Sequence, residues 1–463
     1  MITLNLSQKN NNLFSLIMLI SILGYFMFKT SYRYLGDVFQ ALLYLGTLGA
    51  LYLHKINIFK CRIVQLFLLS IFLQTISWYN LHLLDPTYPN ELSLTWLGYL
   101  FIFFTVALWL KGNQKKINAT MLAFVFGTIL TCLLHSKNIH ADYLKVISGL
   151  RTDYHFMNAN HSAALLATSL VIVTYMTSKL ASNIKYMGLL FLLSAIIVFL
   201  LMGTQSRSAY VALVIPFTIL VYYSGKNSKK NLSFTISIVL LAIGSFIYSS
   251  MPRVSSEAEV FQKKYEHNVE VNNEKLRPIT AKPKLFLAQK SAELDQEPEL
   301  VEYFSLRENI VKKLDHVSDN IPYTPVGYRF HFWIDTVKQS LYNPIFGLGN
   351  NANKYILEHS DHKKIYKKKK FKHLHNSYME IVASYGLLGI VLVGYLYFYV
   401  FKVGMKDGGR ETLVLAICLY SLLGVINLFE SYIFVKSGVL IHTLTLGILY
   451  SYKFKGDVEN EAK

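Results

Sequence analysis

Long apolar runs separated by mostly short polar connections dominate this chain. Most runs hold roughly 16 to 20 residues, enough for a helix to cross a hydrocarbon core about 30 Å thick. We therefore predict twelve membrane-spanning helices. Their ranges are 13–28, 35–53, 63–81, 94–110, 117–134, 162–177, 186–202, 208–223, 232–248, 379–401, 413–428 and 438–452.

Composition supports this interpretation. The chain is 53% hydrophobic and only 16% charged, whereas a soluble protein carries roughly a quarter charged residues. The expected fold class is therefore all-α, a polytopic membrane protein of about twelve transmembrane helices.

The formal net charge of +18 lies mainly in the connections between the predicted spans. This placement argues against nucleic acid as a partner. Lys and Arg near helix ends mark the cytoplasmic side of a membrane protein. Five connections form a lysine-rich set, centred near residues 58, 114, 182, 228 and 406. We expect this set, and with it both termini, to be cytoplasmic.

The long connection at 249–378 is then expected on the periplasmic side. It is polar and holds seven of the ten prolines. The predicted organisation is 1–248 for helices 1–9, 249–378 for a large, mainly helical periplasmic loop, and 379–463 for helices 10–12 and a cytoplasmic tail.

The two halves of this loop differ. Residues 255–302 are charged and poor in aromatic residues, which suggests a mobile segment or a small accessory helical lobe. Further on, Trp333, Val337 and Leu341 recur at helical spacing. We expect that helix to lie on the outer membrane face with its aromatic residues in the interface. Asn343-Pro344 should end it, and a tight glycine turn should follow at 347–351.

His375 stands where the polar loop re-enters the membrane. An imidazole exchanges protons near neutral pH, as a general base must. Asn376 and Glu380 follow it, and we interpret both as supporting residues. His373 is either an alternate base or a bystander.

Two arginines are candidates for binding phosphate. Arg207 lies in a hinge between two apolar spans, and Arg329 opens the aromatic part of the loop. A guanidinium group grips phosphate oxygens two at a time. The alternatives are snorkelling to the interface for Arg207 and a local cation–π contact for Arg329.

The one block of like charge lies just before His375. Its lysines are either a solvated stretch or an electrostatic funnel for phosphorylated substrates. The block comprises Lys367, Lys368, Lys369 and Lys370. There is no Asp-x-Asp and no Walker-type glycine loop, so we expect no metal, no cofactor and no ATP.

Several of these features together resemble the O-antigen ligase family, whose superfamily includes O-antigen polymerases and bacterial protein O-oligosaccharyltransferases. The superfamily motif is His, then Asn, Ser or Gln, nine residues, Gly, two residues, and Gly, Thr or Tyr. Here His375-Asn376 is followed at that spacing by Gly386 and Gly389. The Ser206-Arg207 hinge and Arg329 with 344–349 also look like family signatures.

The resemblance implies a GT-C-like, inverting, metal-independent glycosyltransferase of the bacterial inner membrane, with its active site facing the periplasm. Its donor would be a glycan on undecaprenyl diphosphate and its acceptor lipid A–core, as in lipopolysaccharide biosynthesis. His375 would activate the acceptor, while Arg207 and Arg329 would hold the diphosphate.

Other functions remain open at this point. Within the superfamily, the chain is alternatively an O-antigen polymerase or a protein O-oligosaccharyltransferase. A polysaccharide transporter or flippase is a rival from another class, and a non-enzymatic polysaccharide co-factor is a third. The glycan, the acceptor and the oligomeric state cannot be read from the sequence.

Overall fold

A computed structural model describes residues 8–53, 60–179, 184–272, 298–369 and 371–455, although no side chain is described for 8–12, 53, 95–96, 184, 251–272 and 298–305. These residues form helices and connections, with no strand among them. The α-helices are α1 (Gln8–Phe28), α2 (Arg33–Leu53), α3 (Arg62–Leu84), α4 (Thr95–Gly98), α5 (Phe103–Leu110), α6 (Gln114–His135), α7 (Ile139–Ile147), α8 (Ala159–Lys179), α9 (Ile184–Thr204), α10 (Arg207–Asn227), α11 (Lys229–Asn272), α12 (Pro298–Asp319), α13 (Pro325–Ser340), α14 (Ala352–His359), α15 (Lys363–Lys369), α16 (Ser377–Phe429) and α17 (Lys436–Ser451).

The chain is an all-α polytopic membrane protein. Among the described residues, eight helices are long and apolar enough to cross a membrane. One of them, α16, has non-helical backbone at Gly386 and Gly409. Its segments 387–408 and 410–429 are each about 30 Å long at 1.5 Å per residue, so each can cross a membrane once. The division into twelve spans and three regions stays a prediction.

Helix α8 lies at the centre of the bundle. Its apolar window is completely buried, and it packs against α6, α9, α10, α11 and α17. It is rich in Ala, Ser and Thr, whose small side chains allow neighbouring helices to approach closely. The N-terminus of α8 is thereby fixed inside the bundle, and the candidate site lies there.

Contacts between connections define two ends of the bundle. At the first, which we call the site end, Asn80 Nδ2 donates to Asn343 Oδ1 at 2.9 Å, and Asn160 Nδ2 donates to Glu430 Oε2 at 3.2 Å. At the other, the opposite end, Asn227 Nδ2 donates to the Ser178 carbonyl at 3.1 Å. The lysine-rich connections at 111–116, 226–230 and 402–410 lie at the opposite end. Which end is periplasmic stays a prediction.

The described part of the large loop forms a helical cap, residues 298–376, over the site end. Phe332 of α13 is completely buried in it, with Leu348, Ile356 and Tyr366 around it. The helix predicted from Trp333, Val337 and Leu341 is therefore present, and its place on the outer membrane face stays a prediction. Its buried face carries Phe332 and Thr336 together with His331 and Asp335, because hydrogen bonds satisfy the polar groups.

Three predicted spans have different boundaries from those expected. The apolar run at 94–110 is not one α-helix, since α4, a 3₁₀ turn (Tyr99–Ile102) and α5 follow one another. The run at 379–401 begins with a separate short helical segment, 377–385, and the long helix starts only after Gly386. Helix α11 continues past 248 to Asn272. Of the segment 255–302, residues 273–297 lie outside the described residues.

Candidate active site

The two glycine motifs of the sequence pack directly against each other. At Gly386 the helix breaks, with φ 61°, and the loop 344–349 supplies hydrogen-bond partners on both sides of the break. The Leu387 N–H donates to the Pro344 carbonyl at 2.8 Å, and the Leu348 N–H donates to the Ala383 carbonyl at 2.8 Å. Because buried backbone groups need partners, this docking stabilises the break.

Close packing explains why glycine is needed there. A Cβ atom on Gly386 would lie 2.4 Å from the backbone of Ile345, and one on Gly347 would lie 2.5 Å from the Tyr385 nitrogen. A Cβ on Gly389 would lie 2.5 Å from the Tyr385 Cβ. Neither Gly386 nor Gly389 has room for a Cβ, and their supporting role in the site stays a prediction. They hold the short segment 377–385 against the loop.

His375 immediately precedes this segment. Its backbone is left-handed, with φ 54°, a conformation that costs energy in a non-glycine residue and clusters at functional sites. Its Nδ1 lies 2.6 Å from Glu430 Oε1, and its side chain is 26% exposed while that of Glu430 is 4% exposed. The Phe332 ring stacks on the imidazole, with 6.1 Å between the ring centroids.

The two residues predicted to support His375 have distinct positions. Asn376 is the N-cap of the following segment, since its Oδ1 accepts from the Tyr378 and Met379 N–H groups at 2.9 and 3.1 Å. Glu380 is fully buried. Its Oε1 accepts from the Leu374 N–H at 3.0 Å and from the Ser431 hydroxyl at 2.6 Å.

Arg207 begins α10 immediately after a sharp hinge. Gln205 has φ 49°, which turns the chain between α9 and α10. Arg207 is exposed at this position. The neighbouring Ser206 hydroxyl donates to Asn160 Oδ1 at 3.1 Å. The hinge is therefore tied to the N-terminus of the central helix.

Asn160 joins the separate parts of the site. Its Nδ2 donates to Glu430 Oε2 at 3.2 Å, while its Oδ1 accepts from Ser206. Its backbone carbonyl accepts from the Tyr432 hydroxyl at 2.7 Å. A continuous chain of hydrogen bonds thus runs from His375 through Glu430 and Asn160 to the residue beside Arg207.

Arg329 reaches the same region from the cap. It lies one helical turn before Phe332 on α13, and residues three apart are neighbours on a helix surface. Phe332 stacks on His375, so Arg329 lies within one helical turn of a residue that contacts the imidazole. It also lies within electrostatic range of the Tyr432 phenol, which bonds to Asn160.

Charge at the centre of the site is set by Glu430. Burial alone would raise the pKa of this carboxyl group, but the hydrogen bond and charge of His375, with smaller contributions from His161 and Asn160, outweigh burial. The pKa is held at about 2. Glu430 is consequently an ionised acceptor, and it orients His375 with Nδ1 as the donor and Nε2 facing away.

The lysine block lies beside the site but makes no contact with His375 that the structure records. Lys367, Lys368 and Lys369 end α15 and are exposed, whereas Lys370 lies outside the described residues. Within the described ranges, no group of three or more His, Cys, Asp or Glu side chains is placed to hold a metal ion.

Sequence reasoning missed three residues of this site. Glu430 lies 55 positions after His375 and carries no local motif. Asn160 stands in the first turn of α8, where Asn158 is the cap that accepts from the Asn160 and His161 N–H groups, and this leaves the Asn160 side chain for the site. Arg151 belongs to no motif in the sequence, and its Nη2 lies 3.4 Å from Asn160 Oδ1.

The fold and the site define a multi-pass helical membrane protein with a histidine–carboxylate pair at one end of its bundle. Residues 189–394 match the family model described as O-antigen ligase. The chain thus carries an O-antigen ligase family region, and the resemblance in its sequence is confirmed. This match implies glycosyltransferase-type activity on lipid-linked glycan and lipid acceptor substrates in general. A comparison with curated proteins gave no match.

The matched region contains Arg207, Arg329, His375 and both motif glycines. It begins after Asn160 and ends before Glu430. Asn160 and Glu430, the carboxylate partner of His375, are therefore known as site residues from the structure alone.

Proposed function

We propose that this protein is an O-antigen ligase, which transfers a glycan from undecaprenyl diphosphate to a sugar hydroxyl of lipid A–core. The observation that carries the proposal is the hydrogen-bonded chain from His375 through Glu430 and Asn160 to Ser206, beside Arg207. It brings a base, its carboxylate partner and an arginine hinge together from four distant parts of the sequence.

In this proposal His375 is the general base. Its Nδ1–H donates to the ionised Glu430 at 2.6 Å, so its Nε2 is free to accept a proton. An ionised carboxylate behind an imidazole fixes the tautomer and stabilises the imidazolium that forms. A sugar hydroxyl is a poor nucleophile, and proton removal during attack typically contributes a factor of about 10²–10⁴.

The transfer step balances without a metal ion. The acceptor oxygen forms a bond to the anomeric carbon while the bond from that carbon to the diphosphate oxygen breaks. The hydroxyl proton goes to His375 Nε2, and the leaving diphosphate takes the electron pair and one further negative charge. Attack from the side opposite the leaving group inverts the anomeric centre.

Arg207 and Arg329 stabilise that developing charge in the proposed mechanism. Donors aimed at charge that forms in the transition state contribute more than donors that bind the ground state. Since diphosphate is a good leaving group, two guanidinium groups suffice in principle. The exposed lysines at 367–369 then raise the local concentration of the anionic donor.

The proposed location is the inner membrane, with the site end and its cap in the periplasm and both termini in the cytoplasm. Lysine-rich connections at the opposite end support this orientation through the positive-inside rule. In intact cells, an impermeant thiol reagent should label Lys364→Cys, which lies in the cap, and should not label Lys229→Cys. Labelling only at Lys229 would reverse the orientation.

The test is transfer by purified protein given a lipid-linked glycan. Three acceptors, namely lipid A–core, a second lipid-linked glycan and an acceptor protein, distinguish ligase from polymerase and protein glycosyltransferase. Wild type should modify lipid A–core with chelator present, and His375→Ala should lose activity at least about 100-fold. Transfer that requires a divalent ion, or that survives in His375→Ala, would contradict the mechanism.

A further inference from the structure

A second histidine–glutamate pair lies beside the first. His373 Nδ1 is 3.5 Å from Glu380 Oε1, and the His373 side chain is 41% exposed while that of Glu380 is completely buried. The two pairs share the same short stretch of chain, since His373 and His375 are two residues apart. The mechanism proposed above assigns no task to this second pair.

The contacts of Glu380 indicate that it is a carboxylate. One oxygen, Oε1, accepts two hydrogen bonds, from the Leu374 N–H at 3.0 Å and the Ser431 hydroxyl at 2.6 Å. The other, Oε2, is buried and has no partner among the described residues. Because Oε2 has no hydrogen-bond donor among the described residues, hydrogen bonds alone do not compensate a charge on this side chain.

A buried carboxylate needs a nearby cation, because an unpaired charge is costly away from water. Among the ion pairs that the described residues form, the one partner of Glu380 is His373. The distance of 3.5 Å is too long for the hydrogen-bonded arrangement of His375 and Glu430. The second pair is therefore a longer and weaker contact than the first.

The surrounding groups favour a proton on His373. The negative charges of Glu380, in α16, and Glu430, in the turn that follows, favour the protonated form of His373, whereas the positive charge of Lys372 disfavours it. A charge on His373 in turn disfavours a positive charge on His161 in α8. Contact with the Glu380 carboxylate raises the pKa of His373, and this outweighs burial, which lowers it. The proton is favoured at low pH and lost as pH rises through the raised pKa.

We propose that Glu380 holds His373 as a fixed cation that binds the diphosphate of the lipid-linked donor, beside Arg207 and Arg329. This inference rests on the proposed function. During transfer His373 keeps its proton, because the hydroxyl proton goes to His375 and the leaving diphosphate gains one negative charge. The positive His373 stabilises that charge, whereas the pair with Glu430 handles the proton.

Three variants separate charge from structure, each first checked for expression and thermal unfolding. His373→Gln keeps polarity but removes the charge, and it should lower kcat/KM about 10- to 100-fold. His373→Lys restores a cation and should recover most of the loss. Wild type should lose activity on the alkaline side, and His373→Lys should abolish that loss. The matched control Lys372→Gln removes a neighbouring exposed charge and should change kcat/KM less than about 3-fold.

Binding of inorganic pyrophosphate to the purified protein provides a readout that does not depend on transfer. His373→Gln should weaken pyrophosphate binding about 10-fold or more. In Glu380→Gln, binding should be lost at a lower pH than in wild type. If no acceptor is modified by wild type, the proposed function fails, yet the binding comparison still decides the role of His373.

The inference is overturned by any of three results. His373→Gln could bind pyrophosphate and turn over as wild type does. His373→Lys could be as inactive as His373→Gln although it folds normally. Alternatively, Glu380→Gln could leave the pH dependence of binding unchanged.

Discussion

Helix α16 breaks at a glycine at each end of the helix bundle, but the surroundings of the two breaks differ. At the site end α16 breaks at Gly386, and at the opposite end it breaks at Gly409, both with positive φ. A Cβ on Gly386 would collide with Ile345, whereas a Cβ on Gly409 meets no heavy atom within 4 Å. The first break is a packed joint that fixes a loop beneath the site, and the second is an open turn between two spans.

The glutamates at the two ends also differ in burial and in their partners. Glu430 is buried and bonds to His375 and Asn160. Glu411, at the opposite end, is half exposed and pairs with Lys179 across two helices. Partly exposed ion pairs stabilise a fold only slightly. The comparison teaches that residue type alone does not mark function, and that matched substitutions at the two ends can test which groups act on substrate.

The largest contrast is expected for the two glutamates. Glu430→Gln keeps the size of the side chain but removes the charge that orients His375 and stabilises its protonated form. It should lower kcat about 10²- to 10⁴-fold with unchanged expression. Glu411→Gln should stay within about 2-fold of wild type. Equal activity of the two variants in the purified transfer assay would contradict the role proposed for Glu430.

The arginines should show a smaller contrast. Arg207→Lys retains the charge but loses the planar fork that holds two phosphate oxygens, so kcat/KM should fall about 10- to 100-fold. Arg410 lies at the opposite end, 5.7 Å from the Tyr223 ring. Arg410→Lys is the control and should be nearly neutral. Wild-type turnover in Arg207→Lys would remove the bidentate clamp from the mechanism.

The glycines sharpen the comparison through stability. Gly386 (φ 61°, ψ −157°) and Gly409 (φ 75°, ψ −172°) have backbone that is essentially restricted to glycine. An alanine therefore costs about 1–3 kcal/mol at either position. Gly386→Ala should lose about 1–3 kcal/mol more, because Ile345 must shift. Differential scanning fluorimetry in detergent should therefore show a larger fall in Tm for Gly386→Ala than for Gly409→Ala. Equal falls would mean that the loop 344–349 is not firmly docked.

The smallest effect is expected for the exposed lysines. Replacing Lys367, Lys368 and Lys369 by Gln should reduce kcat/KM only a few-fold, and the reduction should vanish at high salt because surface charge is screened. The matched triple variant at the opposite end changes Lys226, Lys229 and Lys230, which are also exposed. A salt-independent loss, or the same loss in both variants, would rule out a funnel.

Much of the fold could be predicted from the sequence, because a long apolar run has few alternatives to a membrane helix. The break at Gly386 could not, since both sides of it are equally apolar and the partner loop is distant in sequence. The buried face of α13 was missed because the periodicity counts apolar residues. There, Ser360 and Tyr366 donate to Asp335 at 2.7 and 2.8 Å, which makes a polar residue part of the cap interior.

For the site, the sequence predicted the residues that belong to local motifs. His375, Gly386 and Gly389 stand at fixed spacings, and Arg207 stands at a recognisable hinge. Glu430 and Asn160 have no such spacing, and only folding brings them to His375. An imidazole base commonly has a carboxylate partner, but nothing in the order of residues indicates which of the 28 acidic residues it is.

The account depends above all on His375 and Glu430 acting as one unit, and a double-mutant cycle in the purified transfer assay tests this most directly. Residues that act together lose activity non-additively. If they form a unit, His375→Ala with Glu430→Gln should be no slower than His375→Ala alone. A double variant whose loss equals the product of the two single losses would contradict the account.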